Sequence, residues 1–363
     1  MKAWRFYGFG DMRLDDIPTP TLKPAHVLAQ ILTVQPSVTE AQLAFGIPTL
    51  AFDKIKKRLE TEAPVQLFGH EYCARILETG PGVSRFRPGD RVAARAKLPC
   101  QQCPLCAAGQ AARCRKGPII GFQLPGCFSE FALLPEIALT LVDGNISDSE
   151  AACLQSLSDS VASVETANIR IGDSVAVLGQ GSMGLECMQI ARISGAGRII
   201  AVDVREEACA MARELGADHV INASADDPVE AIRDLTGGNG ADVVFECAGG
   251  SARQGLAGTR SLMQALDAVR SGGTIVGVSW FGAPIEFPVD LLRERSLRYV
   301  FPDISTLEHL EHTVRLVSGG RVRLKPAITH VLEGIEAVPQ AFEITANKGK
   351  YKAINPAQVV ISQ

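Results

Sequence analysis

No stretch of the 363 residues approaches the ~20 consecutive apolar positions needed to cross a bilayer, so no membrane association is expected. Basic tracts are absent too. With 36 Lys and Arg against 40 Asp and Glu, the net charge is −4, and the electrostatic footprint of a nucleic-acid binder is missing. The opening residues, Met1-Lys-Ala-Trp-Arg-Phe-Tyr-Gly8, lack the apolar core of a secretion signal. Internal repeats and low-complexity linkers are also lacking. Ten cysteines are present, but they do not read as a disulfide framework: four crowd between Cys100 and Cys114, and six stand singly among apolar residues. That distribution points to a reducing compartment, the cytoplasm. What remains is a globular chain, 46% hydrophobic and 21% charged, long enough for about two domains.

One stretch organises the rest. Val175-Ala-Val-Leu178 has the length of a buried strand and breaks into Gly179-Gln-Gly181-Ser182-Met183-Gly184. Apolar residues then recur at helical spacing (Leu185, Met188, Ala191), and a second strand-like run, Arg198-Ile-Ile-Ala-Val202, ends on Asp203. This is G-x-G-x-x-G between strand and helix, followed by an acid. The first glycine permits the tight turn, the second lets backbone approach a pyrophosphate, and the third lets helix and strand pack closely. The helix N-terminus would receive the anionic pyrophosphate, with Gly179, Gly181, Ser182, Met183 and Gly184 as contacts. Asp203 would accept from the adenosine ribose hydroxyls and repel a 2′-phosphate, favouring NAD over NADP. The competing reading is an ordinary strand-to-helix turn with no ligand. Strand candidates at 175–178, 198–202, 219–222, 242–246, 273–278 and 297–301 alternate with helical segments, as a doubly wound parallel sheet requires. Gly277-Val278 falls at a C-terminal strand end, so Val278 joins the expected cofactor contacts.

Residues 1–155 read as mostly β. Apolar runs at Val27–Leu32, Tyr72–Leu77, Arg91–Ala94 and Phe128–Leu134 are separated by turns such as Pro88-Gly-Asp90, and Ile55-Lys-Lys-Arg-Leu-Glu60 reads as a short exposed helix. Cys100-x-x-Cys103-x-x-Cys106-x7-Cys114 is the most specific signal in the chain. Four close thiolates suit a closed tetrahedral zinc site that orders a polar loop, a structural role, because no coordination position stays open. An iron–sulfur cluster is the competing occupant, but the last spacing departs from the ferredoxin run. Gly69-His70-Glu71, taken alone, suits a structural histidine as well as a ligand.

Together these features resemble the zinc-containing medium-chain dehydrogenases, the alcohol, sorbitol and threonine dehydrogenase group. Gly82-Val-Ser-Arg-Phe-Arg-Pro-Gly-Asp-Arg-Val92, Gly216-Ala-Asp-His-Val-Ile-Asn222 and Ser271-Gly-Gly-Thr-Ile-Val-Gly277 support the resemblance. It implies a GroES-like β-rich catalytic domain (1–155 and 303–363, with a zinc lobe at about 97–117) around a Rossmann NAD-binding domain (156–302). It also implies one structural zinc per chain on the four cysteines and a homodimer or homotetramer. The family's catalytic zinc is usually held by a Cys in C-x-[ST]-D, the His of G-H-E, and a later Cys, Glu or Asp. Here those positions are Ser37, His70 and Gln155. A neutral hydroxyl and a neutral amide offer the metal no charge compensation, although Glu71 and Glu40 stand close in sequence. The expectation is therefore hydride transfer between NAD and an alcohol, ketone or aldehyde without a catalytic zinc, Thr39 and His70 handling the proton. The alternatives are conjugate reduction of an enone, an isomerase or lyase using tightly held NAD, and a nucleotide-binding protein without catalysis.

Overall fold

The computed structural model describes residues 1–250, 258–281 and 284–362. The chain divides into two compact units. One comprises Met1–Ser158, Ile304–Gly320 and Ile328–Gln363, the other Asp159–Asp303 and Arg321–Ala327.

In the first unit, β1 (Lys2–Gly8) and β2 (Asp11–Asp16) form an antiparallel ribbon. β3 (His26–Gln35), β4 (Glu71–Thr79), β5 (Arg91–Ala94), β6 (Phe131–Pro135) and β7 (Leu139–Leu141) follow. β3 is the spine of this unit. It pairs with β4 and β6, both antiparallel, and its second half is buried on both faces, which is why its apolar run is nearly continuous. The expected strand at Phe128–Leu134 begins three residues later. Phe128 instead faces the core, and its carbonyl takes the Trp4 N–H at 2.9 Å. The charged run near Lys56 is a helix, Phe52–Glu62, with Ile55 and Leu59 turned inward.

The second unit holds β8 (Ser174–Leu178), β9 (Arg198–Asp203), β10 (His219–Asn222), β11 (Ala241–Glu246), β12 (Val269–Gly277) and β13 (Arg298–Val300). All pair in parallel in the order β10-β9-β8-β11-β12-β13. The order reverses between β8 and β11, and ligands of such sheets bind beyond the strands' carboxyl ends at that switch point. The chain then returns through β14 (Val331–Glu333) and β15 (Gln358–Val360). These extend the first unit's sheet to β14-β15-β3-β4-β5-β7. Arg321–Ala327 goes with the second unit although sequence assigns it to the first. Gln189, on the helix Ser182–Ile193, donates to the Arg323 carbonyl at 3.2 Å and accepts its N–H at 2.9 Å.

Aromatic packing anchors the first unit. Phe342, fully buried on the helix Val338–Ala346, meets Phe128 at 4.9 Å and Phe6 at 6.0 Å between ring centroids. Phe342→Ala removes that ring from a closed core and is expected to cost about 3–5 kcal/mol. A lowered urea midpoint at unchanged slope would show it. A midpoint within error of the parent would contradict this packing.

Candidate functional site

The first unit assembles its polar site around one carboxylate. The helix Val38–Ala44 starts at Ser37, whose extended backbone lets its hydroxyl accept the Glu40 N–H at 3.2 Å. Glu40 Oε2 accepts the Ser37 N–H at 3.0 Å in return. This capping box satisfies two orphan donors of the helix and is worth about 1 kcal/mol or more. It also points Glu40 inward, to 0% exposure. The other oxygen, Oε1, accepts the Gly69 N–H at 2.9 Å and His70 Nδ1 at 2.6 Å. Phe68 and Gly69 both adopt positive φ, 66° and 83°, and so swing the chain into β4 with His70 aimed at Glu40. A side chain at residue 69 would press on the Cys127 backbone and the Phe128 ring, both 3.0 Å from its Cβ. The hydrogen bond to a carboxylate assigns the imidazole proton to Nδ1 and makes Nε2 the basic nitrogen of the neutral ring. Burial first, and the Glu40 charge second, push the Cys127 thiol far above its usual range.

Glu71, 4% exposed, lies with Oε1 3.9 Å from His70 Nε2. Its Oε2 accepts Gln35 Nε2 at 2.5 Å. Gln35 Oε1 in turn accepts from Asn355 at 2.9 Å, from Gln358 at 2.8 Å and from the Cys153 thiol at 3.6 Å. A network of neutral amides therefore holds Glu71. Gln155 is buried at the start of the helix Leu154–Ala167, two residues from Cys153, and its carbonyl accepts the Ser158 hydroxyl at 2.6 Å. Thr39 stands half-buried in the first turn of Val38–Ala44. Of the residues singled out in sequence, hydrogen bonds and close approach tie Ser37, His70 and Glu71 into one cluster through Glu40. The spacing Ser37-x-x-Glu40 is itself a capping-box signature and signals Glu40's inward turn. Gln35, Asn355 and Gln358 carry no such signal.

The sulfurs of Cys100, Cys103, Cys106 and Cys114 all lie within 4.8 Å of one another. Cys103 is 3.6 Å from Cys106 and 3.8 Å from Cys114, and Cys100 is 4.0 Å from Cys106. A zinc tetrahedron with ~2.3 Å bonds has edges of about 3.8 Å, so this donor set fits the ion. Among the described residues no other group of three or more His, Cys, Asp or Glu side chains converges in this way. The Cys100 N–H donates to Cys114 at 3.3 Å and is the main cause pulling that thiol down to about 6, which readies it as a thiolate ligand.

In the second unit the glycine loop leaves β8 with Gly179 at φ 93°. A Cβ there would lie 2.8 Å from the Ala248 backbone, and one on Gly184 would lie 1.8 Å from the Gly179 carbonyl. Gly181 differs: nothing stands within 4 Å of where its Cβ would be. Gly181 is the N-cap of the helix Ser182–Ile193, which has no side-chain cap, so the cradle suits an anionic pyrophosphate. Met183, in the first turn, accepts the Ser160 hydroxyl on its sulfur at 3.4 Å, and Ser182 opens that turn. Asp203, its side chain 9% exposed at the end of β9, accepts the Gln180 N–H at 2.7 Å and the Arg205 N–H at 2.9 Å. The Arg205 Nε lies 3.6 Å away. Val278, past β12, donates its N–H to the Glu246 carbonyl at 3.0 Å.

Known proteins resemble this chain in both units. Residues 182–305 match the family model described as zinc-binding dehydrogenase, and residues 44–143 match the alcohol dehydrogenase GroES-like domain. L-threonine 3-dehydrogenase of Pyrococcus furiosus is 29% identical over 352 residues, spanning 95% of this chain and 94% of that protein. Alcohol dehydrogenase TADH from Thermus sp. ATN1 superposes with a TM-score of 0.83 at 26% identity over 100% of both chains. A structure described as a zinc-binding dehydrogenase from Sinorhizobium meliloti 1021, bound to NADP, gives 0.83 at 26% identity over 99% of this chain and 98% of that one.

The open space at Gly181 yields a direct test. Gly181→Val adds methyls where only a ligand would be, on a backbone of φ −76° that any residue adopts. The melting temperature is expected within about 3 °C of the parent, while NADH affinity falls by about tenfold or more in a fluorescence titration. Unchanged affinity would remove the pyrophosphate from this loop.

Proposed function

The chain belongs to the zinc-containing medium-chain dehydrogenase family and is an alcohol dehydrogenase-like oxidoreductase; from that premise we propose that it transfers a hydride between NAD and a small alcohol or carbonyl substrate, with His70 and Thr39 handling the proton and no zinc at His70. The observation that carries this reading is the 2.6 Å contact between His70 Nδ1 and the buried Glu40 carboxylate. It turns the histidine into an oriented base backed by an acid, an arrangement that serves proton transfer without a metal. Ligand chemistry points the same way. The Ser37 hydroxyl is engaged as a helix cap, and Gln155 offers only a neutral amide, so neither supplies the anionic charge that a catalytic zinc usually draws from thiolate or carboxylate.

Bound nicotinamide dinucleotide supplies the hydride acceptor in one direction and the donor in the other. In the oxidising direction the Thr39 hydroxyl takes the substrate's O–H proton and passes its own to His70 Nε2. The positive charge gained by the ring then faces Glu40 on one side and Glu71, 3.9 Å from Nε2, on the other. Gln35 keeps Glu71 in place through its 2.5 Å hydrogen bond. In the reducing direction the same imidazolium returns the proton through Thr39 to the carbonyl oxygen. Asp203 supports NAD as the dinucleotide. Its carboxylate closes the ribose end of the glycine loop, and the nearby Arg205 cation is already engaged with it. One structural zinc in the four-cysteine lobe completes the reading.

His70→Asn separates the roles. The amide can still donate toward Glu40, but the basic nitrogen is gone. Turnover of a panel of small secondary alcohols that includes L-threonine, followed by NADH formation, should fall about 100-fold or more. The melting temperature should stay within about 3 °C. Near-parental turnover, or a stability loss that accounts for the lost activity, would return His70 to a purely structural role.

A further inference from the structure

The second unit buries a carboxylate that the proton chemistry does not use. Glu246 ends β11 at 0% exposure, and among the described residues it forms no ion pair with Lys, Arg or His. Its donors are neutral. Oε1 accepts the Ala248 N–H at 3.1 Å and the Ser261 hydroxyl at 2.6 Å, and Oε2 accepts the Ser279 hydroxyl. Its own carbonyl takes the N–H groups of Val278 and Ser279, at 3.0 and 3.1 Å. One residue thus ties together the loops that leave β11 and β12 at their carboxyl ends. The tie reaches the glycine loop directly, because a Cβ on Gly179 would lie 2.8 Å from the Ala248 backbone. It also packs the two strand-end loops on each other. A Cβ on Gly249 would lie 2.2 Å from the Ser279 hydroxyl.

Hydrogen bonds from neutral donors hold a carboxylate without cancelling its charge, and burial extends the reach of that charge. Burial first, and Glu246 second, push the Tyr299 phenol up to about 12. The fold then says where the charge would act. In such sheets a dinucleotide lies across the switch point, here between β8 and β11, and Asp203 at the end of β9 would mark its adenosine side. The ends of β11 and β12 therefore serve the nicotinamide half. That ring is a cation when oxidised and neutral when reduced.

We propose that Glu246 is a charge-selective positioning residue, whose buried carboxylate strengthens binding of the oxidised, cationic nicotinamide and leaves that of the reduced one nearly unchanged. This rests on the reading of the second unit as a dinucleotide-binding unit. A purely structural brace would affect both cofactor forms alike, whereas a charge acts on one.

The experiment is a pair of calorimetric titrations, NAD+ and NADH, on the full chain. In Glu246→Gln the side-chain oxygen keeps the Ala248 N–H, and the new amide finds a serine hydroxyl able to accept. The NAD+ dissociation constant is expected to rise about fivefold or more while that of NADH changes less than about twofold. An equal change in both, or no change in either, overturns the proposal. Should Glu246→Gln fail to fold by near-ultraviolet circular dichroism, Ser279→Ala takes its place. It removes one neutral donor and leaves the charge, so the preference for NAD+ should rise, and a constant or smaller preference overturns the proposal. A parent protein that binds neither nucleotide would instead contradict the dinucleotide reading itself.

Discussion

The first unit's polar cluster depends on one buried carboxylate. Glu40 has no exposed surface, and its carboxylate is tolerated there because three donors answer it, the Ser37 and Gly69 N–H groups and His70, while the Ser37 hydroxyl caps its backbone N–H. The same contacts set the start of a helix, the entry into β4 and the tautomer of a histidine. Structure and chemistry are coupled here in a literal sense, since loss of the capping box would release the group that orients His70.

The second unit repeats the logic with different residues. Asp203 braces the glycine loop through the Gln180 N–H, and Glu246 braces the loops behind it through Ala248, Ser261 and Ser279. In each case an acid at a strand's carboxyl end answers backbone N–H groups that the parallel ladder leaves over. Burying such acids costs stability, and that cost is offset where the loops they order are the ones that receive a ligand. Glycines do the complementary work. Gly179 and Gly184 allow contacts that any side chain would block, whereas Gly181 faces open space.

Much of the architecture was legible in sequence because its period is strong. The parallel strands from Val175 to Val300 announce themselves as apolar runs between helical patterns, and the cysteine spacing marks the lobe whose sulfurs converge. Three short or polar strands were not legible. β2 alternates few apolar residues, and β7 and β14 are three residues each, so their pairing partners rather than their composition make them strands. The assignment of Arg321–Ala327 failed for the same reason, because a long-range hydrogen-bond pair with Gln189 decides it. At the candidate site, His70, Ser37 and Glu71 stood out through their resemblance to a known ligand set. The partners that define what they do, Glu40, Gln35, Asn355 and Gln358, come from two stretches of chain, 35–40 and 355–358, that only folding brings together.

The central claim is that proton handling at His70 proceeds without a second metal. The measurement that tests it most directly is zinc per chain by elemental analysis of purified, nucleotide-free protein, for the parent and for a variant with Cys100, Cys103, Cys106 and Cys114 replaced by serine. The account predicts one zinc in the parent and none in the variant. Two in the parent, with one surviving the replacement, would place a metal at His70 and contradict the metal-free relay.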